Sequence, residues 1–160
     1  MIKRTRSLAA TAGALCALTA LAVAGPAVGA ASKGKADSGV SYVAITHKAG
    51  GFEYVAGNTT DKILGVGAVT YKVKIGPSTA GKYQVSAPSV VVYTSTGSLS
   101  GTASATLTIA SGGTETFSNG KISLTKGAGS QAGHSLTATF TGTGNAVAGS
   151  DKFVYKGTYK

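Results

Sequence analysis

The chain has almost no cysteine, no tryptophan and few acidic residues. Its 160 residues include one Cys, no Trp, three Pro and five Asp or Glu, against fifteen Lys or Arg. The single cysteine, Cys16, lies in an Ala- and Leu-rich stretch near the N-terminus. A disulfide framework is therefore excluded, and the fold has to be held together by its hydrophobic core.

Arginine is also scarce, and it is confined to the beginning of the chain. Arg4 and Arg6 are the only two, and all later cationic residues are scattered lysines. Specific recognition of bases and phosphates favours the planar fork of a guanidinium group. The positive charge therefore predicts solubility and weak adhesion to anionic cell-wall polymers, rather than sequence-specific binding of nucleic acid.

The inventory of catalytic groups is equally thin. After residue 30, two His and the five acids show no metal-ligand spacing. The sequence also contains no GxSxG motif and no phosphate-binding loop. We therefore predict no catalytic residue, metal or cofactor from motifs, which favours a non-enzymatic protein.

Residues 1–30 have the features of a secretory signal peptide in the required order. "MIKRTR" is basic, residues 8–24 are apolar, and Val28 and Ala30 supply the small residues that precede a cleavage site. No later apolar run is long enough to cross a bilayer as a helix. We predict cleavage near Ala30 and a secreted protein, with the cell envelope as a further location.

A lipid anchor at Cys16 is the alternative to simple secretion. The bulky Leu15 precedes Cys16 where a lipobox needs a small residue, and more apolar chain follows it. This context favours removal of Cys16 with the signal peptide. The next segment, 31–38, is small, polar and charged, which predicts a flexible leader.

From Gly39 onward the sequence predicts strands and no helix, in one domain over 39–160. Runs rich in β-branched and aromatic residues are separated by Gly, Pro, Ser and Asn. We predict strands at 39–47, 51–56, 64–75, 81–86, 89–95, 98–110, 114–118, 121–126, 134–143 and 151–159. Short links make neighbours antiparallel, which favours one up-and-down β-barrel of about eight strands, with a two-sheet sandwich as the alternative.

The clearest turn signal is the dipeptide Asn119-Gly120 in "TFSNGKIS". These two residue types tolerate the positive φ angles of a type I′ turn. The dipeptide therefore predicts a tight hairpin in which Phe117 and Ile122 are cross-strand partners. Pro77 and Pro88 are predicted to lie between strands, where a missing N–H does no harm.

Hydroxyl side chains alternate with apolar or small ones along residues 98–110. The alternation predicts that Leu99, Leu107 and their neighbours of the same parity face inward, with the hydroxyl row on the solvated face. A second row occupies alternate positions from Thr137 to Thr143. Such rows can contact polysaccharide or order water, but threonine is also simply a good strand former.

Four ionisable residues share the parity of apolar neighbours near predicted strand ends. They are His47, Glu115, His134 and Asp151. In a closed barrel, residues at such positions face one or both mouths of the interior. We predict them as cavity-mouth residues, with ordinary solvated strand ends as the alternative. A carboxyl group directed inward loses solvation, so the pKa of Glu115 is expected to rise.

The last forty residues resemble a known type of barrel. The "GTG" of Gly142, Thr143 and Gly144, followed by a strand with a late Gly157, is similar to small secreted bacterial β-proteins. More distantly it resembles the allene oxide cyclase and dirigent-like barrels. That resemblance implies an eight-stranded barrel whose central cavity steers reactive intermediates. Those cavities carry Arg and paired acids, whereas no Arg follows position 6 here.

Two functions follow from these patterns as expectations. The first is a secreted, non-enzymatic binding or structural barrel. The second is a cavity protein of the cyclase or dirigent type, which binds or steers a small apolar molecule. An interior filled by side chains would favour the first, and a pocket lined by Tyr and polar groups the second.

Overall fold

The computed structural model describes residues 33–160, where all regular structure is β-strand. The eight strands are β1 (Lys35–Ala49), β2 (Phe52–Asp61), β3 (Gly65–Thr79), β4 (Lys82–Tyr93), β5 (Gly97–Ile109), β6 (Thr114–Gly129), β7 (Leu136–Asn145) and β8 (Ser150–Tyr159). Each strand pairs antiparallel with the next, and β8 pairs with β1. The prediction of one antiparallel barrel is confirmed, and the sandwich alternative is wrong.

The first strand begins earlier than the sequence predicts. Residues 35–38, assigned above to a flexible leader, pair with β8, and Lys35 lies opposite Tyr159. Asp37 on this segment is 4% exposed. The leader prediction rested on polar composition, which carries no information about the distant strand that pairs with this segment. The predicted signal peptide, 1–30, lies outside the described residues, and within 33–160 no helix is long and apolar enough to span a membrane.

Each of two pairs of predicted strands is one continuous strand with a bulge. The pairs are 81–86 with 89–95, and 114–118 with 121–126. The segments 81–86 and 89–95 form β4, whose pairing shifts between Ala87 and Val90, so Pro88 lies at a bulge. Pro77 likewise lies inside β3, at an irregularity in its pairing with β4. Proline is tolerated at such positions because a bulge leaves an N–H outside the ladder.

Asn119-Gly120 forms a bulge within β6, not the hairpin predicted above. Asn119 has a φ of 52°, but Gly120 does not share the positive φ that a type I′ turn requires. Phe117 and Ile122 therefore lie on the same strand rather than opposite each other. A Cβ atom at Gly120 would lie 2.5 Å from Cγ of Phe140, so this glycine makes room for that ring.

The two tight hairpin turns use other residues. Gly50 and Gly51 connect β1 to β2 with φ angles of 59° and 76°. Ala80 and Gly81 connect β3 to β4 with φ angles of 50° and 74°. Positive φ at both central residues matches the right-handed twist of the flanking strands.

The inward side chains form the core, as the alternation predicts. Leu99, Leu107 and Leu124 are the largest fully buried side chains. Thr102 and Thr108 on β5 are exposed, and so are the threonines from 137 to 143 on β7. Both hydroxyl rows therefore lie on the outer face of the barrel.

The barrel has two chemically different ends. We call the end that carries the β1–β2, β3–β4, β5–β6 and β7–β8 connections the hairpin end. The opposite end, where β1 begins and β8 finishes, is the terminal end. Strand direction alternates, so inward residues late in β1 lie near the hairpin end together with those early in β2.

Candidate functional site

An internal cavity of about 120 Å³ occupies the part of the barrel toward the hairpin end. One water molecule occupies roughly 10–15 Å³ of a volume defined in this way, so the cavity can hold several waters or a small organic molecule. All eight strands contribute to its wall, which is mainly Val, Ile, Ala and Phe. The polar side chains that line it belong to Ser41, Glu53, Tyr71, Glu115 and Asp151.

One side of the cavity is an aromatic cluster. The ring of Phe153 lies 5.0 Å from that of Phe117 and 5.4 Å from that of Phe140, edge to face in both cases. A Cβ atom at Gly142 would overlap with the Phe153 ring, so glycine is required for this packing. Edge-to-face packing fixes these rings and gives the cavity a rigid apolar wall.

Two carboxyl groups meet where the cavity approaches the hairpin end. Glu115 on β6 and Asp151 on β8 both lie opposite Gly144 of the intervening strand β7. A Cβ atom at Gly144 would overlap with Oδ1 of Asp151. The missing side chain therefore lets the two acids approach each other across β7.

The environment favours one proton on this pair. Burial, the charge of Glu115 and a hydrogen bond to Glu115 raise the pKa of Asp151 to about 7. Burial also raises the pKa of Glu115, as its inward parity predicts, although the hydrogen bond from Asp151 opposes the rise. Near neutral pH, protonated Asp151 thus donates a hydrogen bond to the Glu115 carboxylate.

Further polar groups surround the pair. Glu53 on β2 lines the same cavity and forms an ion pair with Lys48. Tyr71 also lines the cavity, and burial together with the nearby acids raises the pKa of its hydroxyl. Tyr71 therefore remains a neutral hydrogen-bond donor at physiological pH. Oδ1 of Asp151 is buried, and no N–H or hydroxyl donor among residues 33–160 reaches it.

The raised pKa of Asp151 predicts that the stability of the fold depends on pH. The folded protein holds the Asp151 proton up to about pH 7, whereas an unfolded Asp loses it near 3.8. The ionised form is thus penalised by folding, and the free energy of unfolding falls as pH rises between these values. Asp151→Asn removes the penalty, so we expect the variant to be about 1–2 kcal/mol more stable than wild type at pH 8, since partial exposure moderates the effect.

Urea unfolding at pH 4 and pH 8 measures this difference. At pH 4 the two proteins should be nearly equal in stability, because Asp151 is protonated in the folded wild type. A smaller pH dependence persists in the variant, since burial and the charge of Asp61 raise the pKa of Asp37 to about 6. Equal stabilities at pH 8 would show that Asp151 is solvated like an ordinary surface acid.

A buried polar network lies between the cavity and the terminal end. The Tyr155 hydroxyl donates to Oδ2 of Asp61, while Oδ1 of Asp61 accepts the N–H groups of Ile63 at 2.7 Å and Leu64 at 2.6 Å. A Cβ atom at Gly39 would overlap with the Tyr155 hydroxyl, so glycine leaves the space for it. The Tyr155 ring thus forms the floor of the cavity with its hydroxyl fixed away from it.

The structure brings together two of the four residues predicted at a cavity mouth. Glu115 and Asp151 line the cavity at the hairpin end. His134 lies at the terminal end, where its ring stacks on Tyr159. His47 is exposed and stacks on Tyr54 of β2, at 4.2 Å between ring centroids.

The predicted inward orientation of His47 is wrong, because a bulge precedes this residue. The pairing of β1 with β2 shifts between Ile45 and His47, so His47 does not share the inner face of Ile45. Sequence reasoning also missed Glu53 and Tyr71, although Glu53 shares parity with the buried Val55. Asp37 was missed because its segment was assigned to the leader.

No protein family model, curated protein or solved structure matches the chain. Within residues 33–160 no group of three or more His, Cys, Asp or Glu is placed to hold a metal ion. Fold and site therefore define the chain as an eight-stranded antiparallel barrel with an apolar cavity and an acid pair.

Proposed function

We propose that this protein is an extracellular binding protein that holds a small, largely apolar molecule inside its barrel. The cavity of about 120 Å³ carries the proposal, because a barrel that served only as a scaffold would be expected to fill its interior with side chains. Its wall of aliphatic and Phe side chains with a few convergent polar groups is typical of small-molecule sites. The extracellular location rests on the N-terminal sequence features given above.

The acids define which end of the ligand is polar. Glu115, Asp151 and Glu53 lie at the hairpin end of the cavity, and the ion pair with Lys48 engages only Glu53. A ligand amine or hydroxyl directed to this end would find carboxylate acceptors in a poorly solvated site. The preferred ligand is therefore an apolar body with a cationic or hydrogen-bond-donating head, whereas an anionic head is disfavoured.

Three probes that differ only in the head group test this proposal. At pH 8, where Asp151 is largely ionised, we expect benzylamine to bind more tightly than benzyl alcohol. We expect benzoate to bind at least about tenfold more weakly than benzylamine, since a like charge would be brought beside buried acids. NMR titration of the full chain measures the three affinities. Equal affinities for benzylamine and benzoate would contradict the proposal.

Two matched variants test whether benzylamine binds in the cavity. Ala105 lines the cavity on β5, whereas Thr102 on the same strand faces outward. Ala105→Leu fills part of the cavity and should abolish benzylamine binding, while Thr102→Leu should preserve it. Thermal unfolding of both variants checks that the barrel remains folded. Retention of binding in a folded Ala105→Leu protein would place the probe elsewhere.

A second candidate function is the steering of a reaction, as the resemblance to cyclase and dirigent-like barrels implies. The observation that favours it is the Asp151 carboxyl, whose pKa of about 7 suits proton transfer beside an apolar cavity. A reaction that depends on this proton should be lost in Asp151→Asn while toluene, an apolar probe, still binds. Unchanged turnover in that variant would remove this candidate.

A further inference from the structure

The charges of the barrel are separated between its inside and its outside. All five acids of the chain lie in the described residues, and none is on the outer face. Asp37 and Asp61 are buried, whereas the other three line the cavity. The lysines, in contrast, are in contact with solvent, and eleven of the twelve in residues 33–160 are exposed. The outer surface thus presents positive charge without interspersed carboxylates.

Polar side chains line a shallow groove across β5 to β8. Ser104, Lys121, Thr139 and Lys156 form one row, because each lies opposite the next in the register of the sheet. Thr102, Ser123 and Thr137 form the neighbouring row. We call these seven residues the lysine–hydroxyl groove; all seven line the same concave surface.

The spacing of the two lysines is fixed by the sheet. Thr139 lies between Lys121 and Lys156 on the intervening strand, so their Cα atoms are roughly 10 Å apart at two strand spacings. Both side chains are exposed. Hydroxyls lie beside and between them, able to donate to or accept from the hydroxyls of a polyol.

We infer that this groove binds a linear polyol phosphate, a flexible polymer of hydroxylated units joined by phosphodiesters. A lysine ammonium contacts a phosphodiester as a point charge, so this contact needs no arginine fork and suits a flexible polymer without fixed sequence. The groove contains no aromatic side chain on which a nucleic-acid base could stack. Charge complementarity and the hydroxyl rows together favour a non-aromatic polyanion. This inference concerns the outer surface and does not depend on the cavity ligand.

Titration of the full chain with polyglycerol phosphate, in 20 mM and 150 mM salt, tests the inference. The double variant Lys121→Gln/Lys156→Gln should lose at least about tenfold in affinity at low salt. Its plot of log affinity against log salt should be shallower by about 1.4, since each phosphate contact contributes about 0.7 for a single-stranded polyanion. Thr139→Val should weaken binding a few-fold while the salt slope is unchanged.

A charge-matched control separates a site from diffuse attraction. Lys62 and Lys74 are exposed lysines of the β2–β3 connection and of β3, away from the groove. Lys62→Gln/Lys74→Gln should retain affinity within about twofold. An equal loss in both double variants, or wild-type affinity in Lys121→Gln/Lys156→Gln, would overturn the inference. It would also be overturned if a single-stranded oligonucleotide or a polyuronate with the same number of charges bound as tightly. Thermal unfolding confirms that each variant is folded.

Discussion

Leu107→Lys is expected to unfold the barrel. Leu107 is 1% exposed and packs in the core on β5, where its neighbours across the strands are Tyr83 and Phe117. A lysine there would bring an ammonium group into the core without an acceptor and remove the packing of the leucine. Together these effects cost about 4 kcal/mol or more, which is close to the whole stability of many domains. Far-UV circular dichroism and urea unfolding measure the loss.

The matched control adds the same side chain to the opposite face of the same strand. Thr102→Lys places the ammonium in solvent, so the free energy of unfolding should change by less than about 0.5 kcal/mol. A folded Leu107→Lys protein together with an unfolded Thr102→Lys protein would mean that the register of β5 is shifted by one residue. The outward orientation of both hydroxyl rows depends on this register.

Asp61→Ala is expected to have the second-largest effect. Asp61 is 4% exposed and accepts three hydrogen bonds, from the Tyr155 hydroxyl and the N–H groups of Ile63 and Leu64. Alanine leaves all three donors without their acceptor, and two of them shape the β2–β3 connection. We expect a loss of about 3–5 kcal/mol, measured by urea unfolding.

Asp61→Asn separates the hydrogen bonds from the charge. The amide oxygen still accepts the two N–H groups, and its –NH2 can donate to the Tyr155 hydroxyl. The variant should lose less than half of the stability lost in Asp61→Ala. The charge of Asp61 is one cause of the raised pKa of Asp37, so that pKa should fall in the variant. A loss as large as that of alanine would contradict this description of the network.

The barrel could be predicted from the sequence because its signals are local and repeated. Alternation on β5 and β7 defines an inner and an outer face for each strand, and short links define antiparallel neighbours. The predicted strand boundaries are wrong at Pro88 and Asn119, because residues typical of turns lie at bulges there. A tight turn and a bulge use the same residue types, since both need an unusual backbone conformation. The difference lies in the partner strands, which a local pattern does not contain.

The candidate site was predictable only in part, for the same reason. Glu115 and Asp151 kept the parity of their neighbours, and their meeting across Gly144 depends on the register of three strands. A single bulge between Ile45 and His47 turns His47 away from the inner face. The burial of Asp37 depends on the pairing of β1 with β8, which links the two ends of the barrel sequence. Long-range pairing of this kind leaves no local signal.

We expect a small ligand to bind inside the barrel with its polar head at the acid pair. NMR spectra of the complex with benzylamine at pH 8 test it most directly, through intermolecular nuclear Overhauser effects. We expect contacts from the benzyl ring to Val55, Val69 and Phe153. The methylene beside the amine should contact the side-chain protons of Glu115 and Asp151. Contacts confined to outward residues such as Thr102 or Tyr42, with unperturbed cavity residues, would contradict it.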